Sequence, residues 1–136
     1  MRESQTSHKE VPSMDLWLKD AKSDGHANDC GMYLFHNGVV RRTAKAQARQ
    51  NEPGTQPVTG MVFSFDSGRV KDAIARTSAM DGIYHVRVWL NEGHLDVGDD
   101  IMLVLIGGDI RPHVVAALQA LVEELKTNCV RETELF

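Results

Sequence analysis

An unbroken apolar run, Ile101-Met-Leu-Val-Leu-Ile106, ends in Gly107-Gly108 and leads straight into a segment of helical spacing. Its length and flanking turn residues predict a buried strand. Asp109 is placed to cap the following helix, and Pro112 is tolerated in a first turn. Within residues 111–126, Leu118, Val122 and Lys126 recur every four positions and share one side of the helix, while Leu121 and Leu125 widen it into a core-facing stripe. Lys126 therefore stands at the margin of an apolar surface, away from the face that carries Glu123 and Glu124. A lysine desolvated at such a margin becomes a candidate nucleophile or proton-transfer group. The alternative is a structural lysine that snorkels from the core edge and complements the helix C-terminus.

The remaining segments predict a fold class. Ser13 caps a short amphipathic helix carrying Met14, Trp17, Leu18 and Ala21. Residues 31–35 read as a strand, interrupted at His36-Asn37-Gly38 by a bulge, bend or close backbone approach before Val39 and Val40. Met61, Phe63 and Phe65 alternate as a second strand. Val70, Ala73, Ile74 and Thr77 follow at helical spacing, opened by Asp66 or Ser67 and closed near Asp81-Gly82. Residues 83–90 form a strand with Tyr84, Val86 and Val88 opposite His85, Arg87 and Trp89. Asn91-Glu92-Gly93 and Val97-Gly98-Asp99 read as turns, and residues 129–136 as a closing strand. Helices and strands do not alternate regularly. This favours an α+β domain with a mostly antiparallel sheet packed by helices. Residues 1–12 read as a flexible tail and 13–136 as the domain.

Length and composition support a single core and exclude several classes. The chain has 136 residues, of which 42% are hydrophobic, enough for one globular domain. A net charge of -4 argues against a general nucleic-acid binder. No apolar run approaches the length needed to span a bilayer, and the polar start lacks a signal-peptide core, so a cytoplasmic location is expected. Cys30 and Cys129 form no CxxC motif and no disulfide framework.

Three places can carry chemistry besides Lys126. Arg41 and Arg42 open a polar, basic loop, residues 41–57, that also holds Lys45 and Arg49. Its guanidinium groups can clamp a phosphate or carboxylate, or can simply be solvated. Gly107-Gly-Asp-Ile-Arg111 can present free backbone N–H groups and Arg111 to an anion, or its glycines can serve the turn alone. Asp109 would compete for those donors. His26, Cys30 and His36 match no common zinc spacing, and no metal is assigned.

In order, Asn37-Gly-Val-Val-Arg41, Gly60-Met-Val-Phe-Ser-Phe65, Val86-Arg-Val-Trp-Leu-Asn-Glu-Gly-His-Leu-Asp-Val-Gly-Asp99 and the strand–helix unit 101–126 resemble the large subunit of molybdopterin synthase, the MoaE family. The resemblance covers roughly residues 30 to 128. It implies an α/β hammerhead domain, a homodimer, and a small ubiquitin-like sulfur-carrier subunit whose C-terminal Gly-Gly thiocarboxylate enters a pocket. It further implies sulfur transfer to cyclic pyranopterin monophosphate, a pterin phosphate substrate, with no resident cofactor. Lys126 matches the pocket lysine, Arg41 the arginine after the first strand and Arg111 the arginine opening the last helix, both suited to a pterin phosphate; Arg42, beside Arg41 in the basic loop, joins them as a candidate substrate-binding residue. The chain departs from the family pattern in three places. Ile110 replaces a histidine, Leu90-Asn91 replaces His-Arg, and residues 128–134 lack the usual Pro-x-Trp-Lys segment. These departures motivate a second expectation, a non-catalytic relative that binds a pterin or carrier in a regulatory or delivery role.

Overall fold

The strand that starts from the apolar run extends over Asp100–Gly108 and is the middle of a three-stranded antiparallel sheet. The computed structural model describes residues 9–45 and 56–136. In chain order the elements are α1 (Met14–Lys22), β1 (Met32–Val39), β2 (Gly60–Phe65), α2 (Ser67–Ser78), β3 (Ile83–Leu90), β4 (Gly93–Asp96), β5 (Asp100–Gly108), α3 (Arg111–Glu124) and β6 (Val130–Leu135). A π-helical turn, Leu125–Cys129, joins α3 to β6. The architecture is α+β with wholly antiparallel strands, but it holds two sheets rather than one. The first has the order β1-β5-β3 and the second β4-β2-β6.

Burial on both faces explains why β5 reads as a continuous apolar run rather than an alternating one. On one side, Leu103 and Leu105 pack with Trp17 and Ala21 of α1 and with Tyr33, Phe35 and Trp89. On the other, Met102, Val104 and Ile106 meet Val114, Ala117, Leu121 and Leu125 beneath α3. The core line of α3 is therefore Val114, Ala117 and Leu121, continued by Leu125 of the π-turn, with Leu118 and Val122 half-buried along its edge. Trp17 and Ala21 are one turn apart, which is all α1 needs to cover its side. Ser13 caps α1 by accepting from the Leu16 N–H at 3.2 Å, and Asp66 caps α2 by accepting from Arg69 N–H at 3.0 Å.

Two expectations are corrected. The segment after Asn91 is not only a turn, since β4 pairs with β2 in the register Met61↔Leu95. With one apolar residue, Leu95, this strand carries no periodic signal. Asp109 is not the N-cap of α3; Ile110 occupies that position, and the Asp109 carboxylate accepts from the Ile110 N–H at 2.7 Å and pairs with His113 Nδ1 at 2.7 Å. The interruption expected at residues 36–38 is a register shift between Gly38 and Val39, at the end of β1. Gly38 runs so close to β5 that an added Cβ would lie 3.1 Å from Met102 Cγ.

Gly107 and Gly108 lie inside β5 and do not make the turn. Tyr33 crosses Gly107, while a Cβ on Gly108 would stand 2.6 Å from the Gly82 carbonyl oxygen and 2.7 Å from Val114 Cγ2. The glycines thus allow β3 and α3 to close over the strand end. Gly108→Ala should destabilise the protein by about 1–3 kcal/mol through overpacking. Gly25→Ala, where no atom lies within 4 Å of the new methyl, should stay within about 0.5 kcal/mol. Urea unfolding of both variants checks the contrast; equal midpoints would remove the packing explanation.

Candidate functional site

The seam between the two sheets opens into a pocket of about 220 Å³. His36, Gly38 and Val39 come from the end of β1, Ile101 and Met102 from the start of β5, and Met61 from β2. Arg41 and Lys45 follow β1, Glu132 and Glu134 come from β6, and Lys126 closes the ring from the π-turn. Lys126 also lines two further depressions beside this one, the first with Lys45, Thr127 and Glu132, the second with His36, Leu118 and Val122. It is the side chain on which all three openings meet.

The π-turn decides where Lys126 points. In continuing past Glu124 the helix widens, and Thr127 Oγ1 bonds back to the Glu123 carbonyl at 2.8 Å. Single π-turns of this kind reorient side chains and recur at functional sites. Leu125 and Cys129 stay buried on either side of an exposed Lys126. The expectation of a desolvated amine is thus corrected. The ammonium is solvent-accessible at the pocket rim, and among the described residues it has no hydrogen-bond or ion-pair partner.

Charge around the pocket is mixed. The Glu132 side chain is only 11% exposed and pairs with Lys45 Nζ at 3.3 Å. Glu134 accepts from the Lys45 backbone N–H at 3.0 Å. These contacts hold the chain after β1 against β6 and neutralise much of the acidic wall. Arg41 uses Nε to bond the Thr43 carbonyl at 3.0 Å, which fixes its stem; among the described residues its remaining N–H groups have no hydrogen-bond partner.

Arg42 and Arg111 are not brought here. Arg42 is exposed and does not line the pocket; its carbonyl accepts from Val58 N–H at 2.7 Å, a backbone tie. Arg111 opens α3, while Lys126 follows its far end; at 1.5 Å per residue they are roughly 22 Å apart along the axis. Arg131 lies with Ser64, Asp66 and Arg69 around a different groove. Cys129 is buried, and burial pushes its thiol pKa up, which disfavours the nucleophilic thiolate. Lys45 is described, while Arg49 lies outside the described residues. Among the described residues, no group of three His, Cys, Asp or Glu side chains is placed to hold a metal ion.

His36 is the pocket residue that sequence reasoning placed only in a bulge or metal set. It occupies the register between Leu34 and Gly38 that faces α3, opposite Val104. Its Nε2 is buried and, among the described residues, has no hydrogen-bond partner. Burial first, and the nearby Lys126 charge second, hold its pKa below the ordinary imidazole value. The available signal was its parity with Met32 and Leu34, the β1 side chains that pack against the core beneath α3.

Comparison with known proteins now identifies the architecture. The MoaE protein family matches residues 9–128. The chain belongs to the MoaE family. Its fold matches molybdopterin synthase from Staphylococcus aureus with a TM-score of 0.71 at 13% identity, covering 93% of this chain and 87% of that one. The molybdopterin biosynthesis MoaE protein from Burkholderia ambifaria MC40-6 gives a TM-score of 0.66 at 16% identity, covering 93% and 84%. A complex of subunits 1 and 2 of the molybdopterin-converting factor from Helicobacter pylori 26695 gives 0.63 at 15% identity, covering 91% and 79%. No curated protein sequence matches the chain. Membership ties this MoaE-family protein to molybdenum cofactor biosynthesis. No helix among the described residues is long and apolar enough to cross a membrane.

The histidines give a pH prediction. Burial lowers the pKa of both His36 and His85 in the fold; for His85, Asp24 and Asp20 oppose this and Arg87 adds to it. The unfolded chain then binds more protons below about pH 6.5. Stability is therefore full above that value and falls as pH drops toward the folded pKa values. Urea midpoints should decline between pH 7.5 and 5.5, less steeply for His36→Phe. A slope unchanged by that substitution would show that His36 does not titrate differently on folding.

Proposed function

We propose that this protein transfers sulfur from the thiocarboxylated C-terminus of a small ubiquitin-like carrier to cyclic pyranopterin monophosphate, forming molybdopterin. The observation that carries this reading is a Lys126 ammonium, unpaired among the described residues, that opens together with Arg41 onto one pocket in a MoaE-family fold. The Helicobacter pylori neighbour is a two-subunit complex, which supports a small partner subunit here. The pocket is below the usual size for a whole small-molecule site, as suits the narrow end of a chain.

Lys126 engages the carrier's anionic terminus and neutralises charge as sulfur is transferred, while Arg41 binds the pterin phosphate with its free N–H groups. Arg111 is too far along α3 to serve the same protomer's pocket. It contributes only if a homodimer brings the helix start of one copy to the pocket of the other. A second reading, a non-catalytic relative that binds carrier or pterin in a regulatory or delivery role, is favoured by the residues after Lys126, where Glu132 and Glu134 line the pocket in place of a second basic group.

Purified protein mixed with thiocarboxylated carrier and cyclic pyranopterin monophosphate should yield sulfurated pterin. Lys126→Ala should lower the rate by about a hundredfold or more. Equal product from that variant sinks the catalytic assignment, and tight binding without turnover by the unaltered protein selects the second reading. The dimer has its own test. Arg111→Ala and Lys126→Ala proteins, each impaired alone, should recover activity when subunits are exchanged. No recovery means that Arg111 does not act across an interface.

A further inference from the structure

Arg76 and Arg87 are committed to carboxylates, the first to Glu124 and the second to Asp20 at 3.3 Å. Arg69 and Arg131 are not. Among the described residues neither guanidinium has an ion-pair partner, yet both line one open groove of about 340 Å³. The groove lies where the end of β2, the first turn of α2, the end of the π-turn and the start of β6 meet. Ser64 and Arg131 are cross-strand partners in the β2–β6 register, and both are exposed on the side of the sheet opposite the buried Phe63. Among the described residues, the linings of this groove and of the Lys126 pocket share none. Two cations on one concave surface repel each other and draw anions to it.

The surroundings leave much of that positive charge uncompensated. Asp66 is the one carboxylate in the lining, and its Oδ1 accepts from the Arg69 backbone N–H at 3.0 Å as the cap of α2. Burial raises the pKa of the Cys129 thiol, which therefore stays protonated at neutral pH and adds no negative charge. Arg69 is also held in place, since Nη1 donates to the Asn128 carbonyl at 3.0 Å. Its other side-chain N–H groups have no hydrogen-bond partner among the described residues. A guanidinium fixed in advance loses less freedom when it takes a ligand.

The arrangement of donors selects a class of anion. A planar carboxylate is satisfied by the fork of a single arginine. Here Arg69 comes from α2, Arg131 from β6 and the Ser64 hydroxyl from β2. Donors on three elements suit a tetrahedral group with three outer oxygens. Two guanidinium groups against one engaged carboxylate suit a dianion. Half-buried Phe65 and Val130 also line the groove and offer apolar surface to the organic part of an ester.

We propose that this groove binds a phosphoryl group, as a phosphate monoester or as free phosphate, held by Arg69, Arg131 and Ser64. The site is separate from the sulfur-transfer pocket and does not rest on that reading.

The test titrates full-length protein carrying ¹⁵N-labelled arginine, at neutral pH and low salt, with phenyl phosphate, inorganic phosphate and benzoate. A phosphate should shift the Arg69 and Arg131 side-chain resonances with a Kd of about 1 mM or tighter. Benzoate, planar and singly charged, should not. Tighter binding of phenyl phosphate assigns an ester, and equal or weaker binding assigns free phosphate. Read at the Arg69 resonance, Arg131→Gln should weaken phosphate binding about tenfold or more. Arg131→Lys, which keeps the charge without the fork, should lose less. Lys126→Ala and Arg41→Ala, both in the other pocket, should leave the Arg69 response unchanged. A shift at Arg41 with none at Arg69 and Arg131 would place the anion in the Lys126 pocket and overturn the proposal. So would an equal response to benzoate, an affinity unchanged in Arg131→Gln, or no response to either phosphate. Arg69→Gln, read at Arg131, should weaken binding as much; if loss of its bond to Asn128 disturbs the π-turn, the exposed Arg131→Gln substitution decides alone.

Discussion

Burial of β5 on both faces is the constraint from which the remaining structure follows. A strand sandwiched between α1 and α3 must be apolar throughout, must have hydrogen-bonded neighbours on each side, and must end where the covering helix begins. β1 and β3 supply the neighbours, and Gly107-Gly108 let the helix cross close to the strand end. Fixing α3 on that surface also fixes the direction in which it runs. The start of α3 then lies at one end of β5 and Lys126 at the other, beside Ile101 and Met102. The site is where a helix leaves the strand it covers.

Much of this was legible because the responsible forces are local and periodic. The continuous run of β5, the alternation in β2 and β3, and the caps at Ser13 and Asp66 each declare themselves within a few residues. β4 did not, because a four-residue strand with a single apolar side chain is specified by its partner β2 rather than by its own pattern. The division into two sheets was hidden for a related reason. It turns on Asn91, buried at the junction of β3 and β4, whose side chain donates to Asp100 O and accepts from the Glu92 and Lys9 N–H groups. A polar residue after a strand reads as a turn. Only tertiary structure shows that its amide oxygen and nitrogen are hydrogen-bonded inside the fold.

The site was readable in part for the same physical reason. Helical spacing put Lys126 at the edge of an apolar stripe, and the edge is where it lies; the same spacing could not show that a π-turn would expose it. Arg41 follows a strand that ends beside the pocket, so proximity in sequence served. Arg111 and Lys126 also belong to one helix, yet a straight helix separates its ends as surely as it aligns its faces. His36 needed knowledge of which face of β1 meets α3, and that depends on the β1–β5 register.

The family departures after Lys126 also take on a physical sense. β6 is an edge strand, and edge strands commonly carry inward charges that discourage pairing with another chain. Glu132 and Glu134 point to the same side as Met61 and Phe63, their partners on β2, and so toward the pocket rather than solvent. Such carboxylates require a counter-charge, and Lys45 supplies it from the opposite wall. A cation thus reaches this rim from the segment after β1 instead of from the strand after Lys126. The consequence is a pocket whose acidic and basic halves come from different parts of the chain, held together by the Lys45–Glu132 pair. Because that pair is largely shielded on its carboxylate side, separating it would leave Glu132 unsatisfied and would change the potential felt at Lys126 and His36 together.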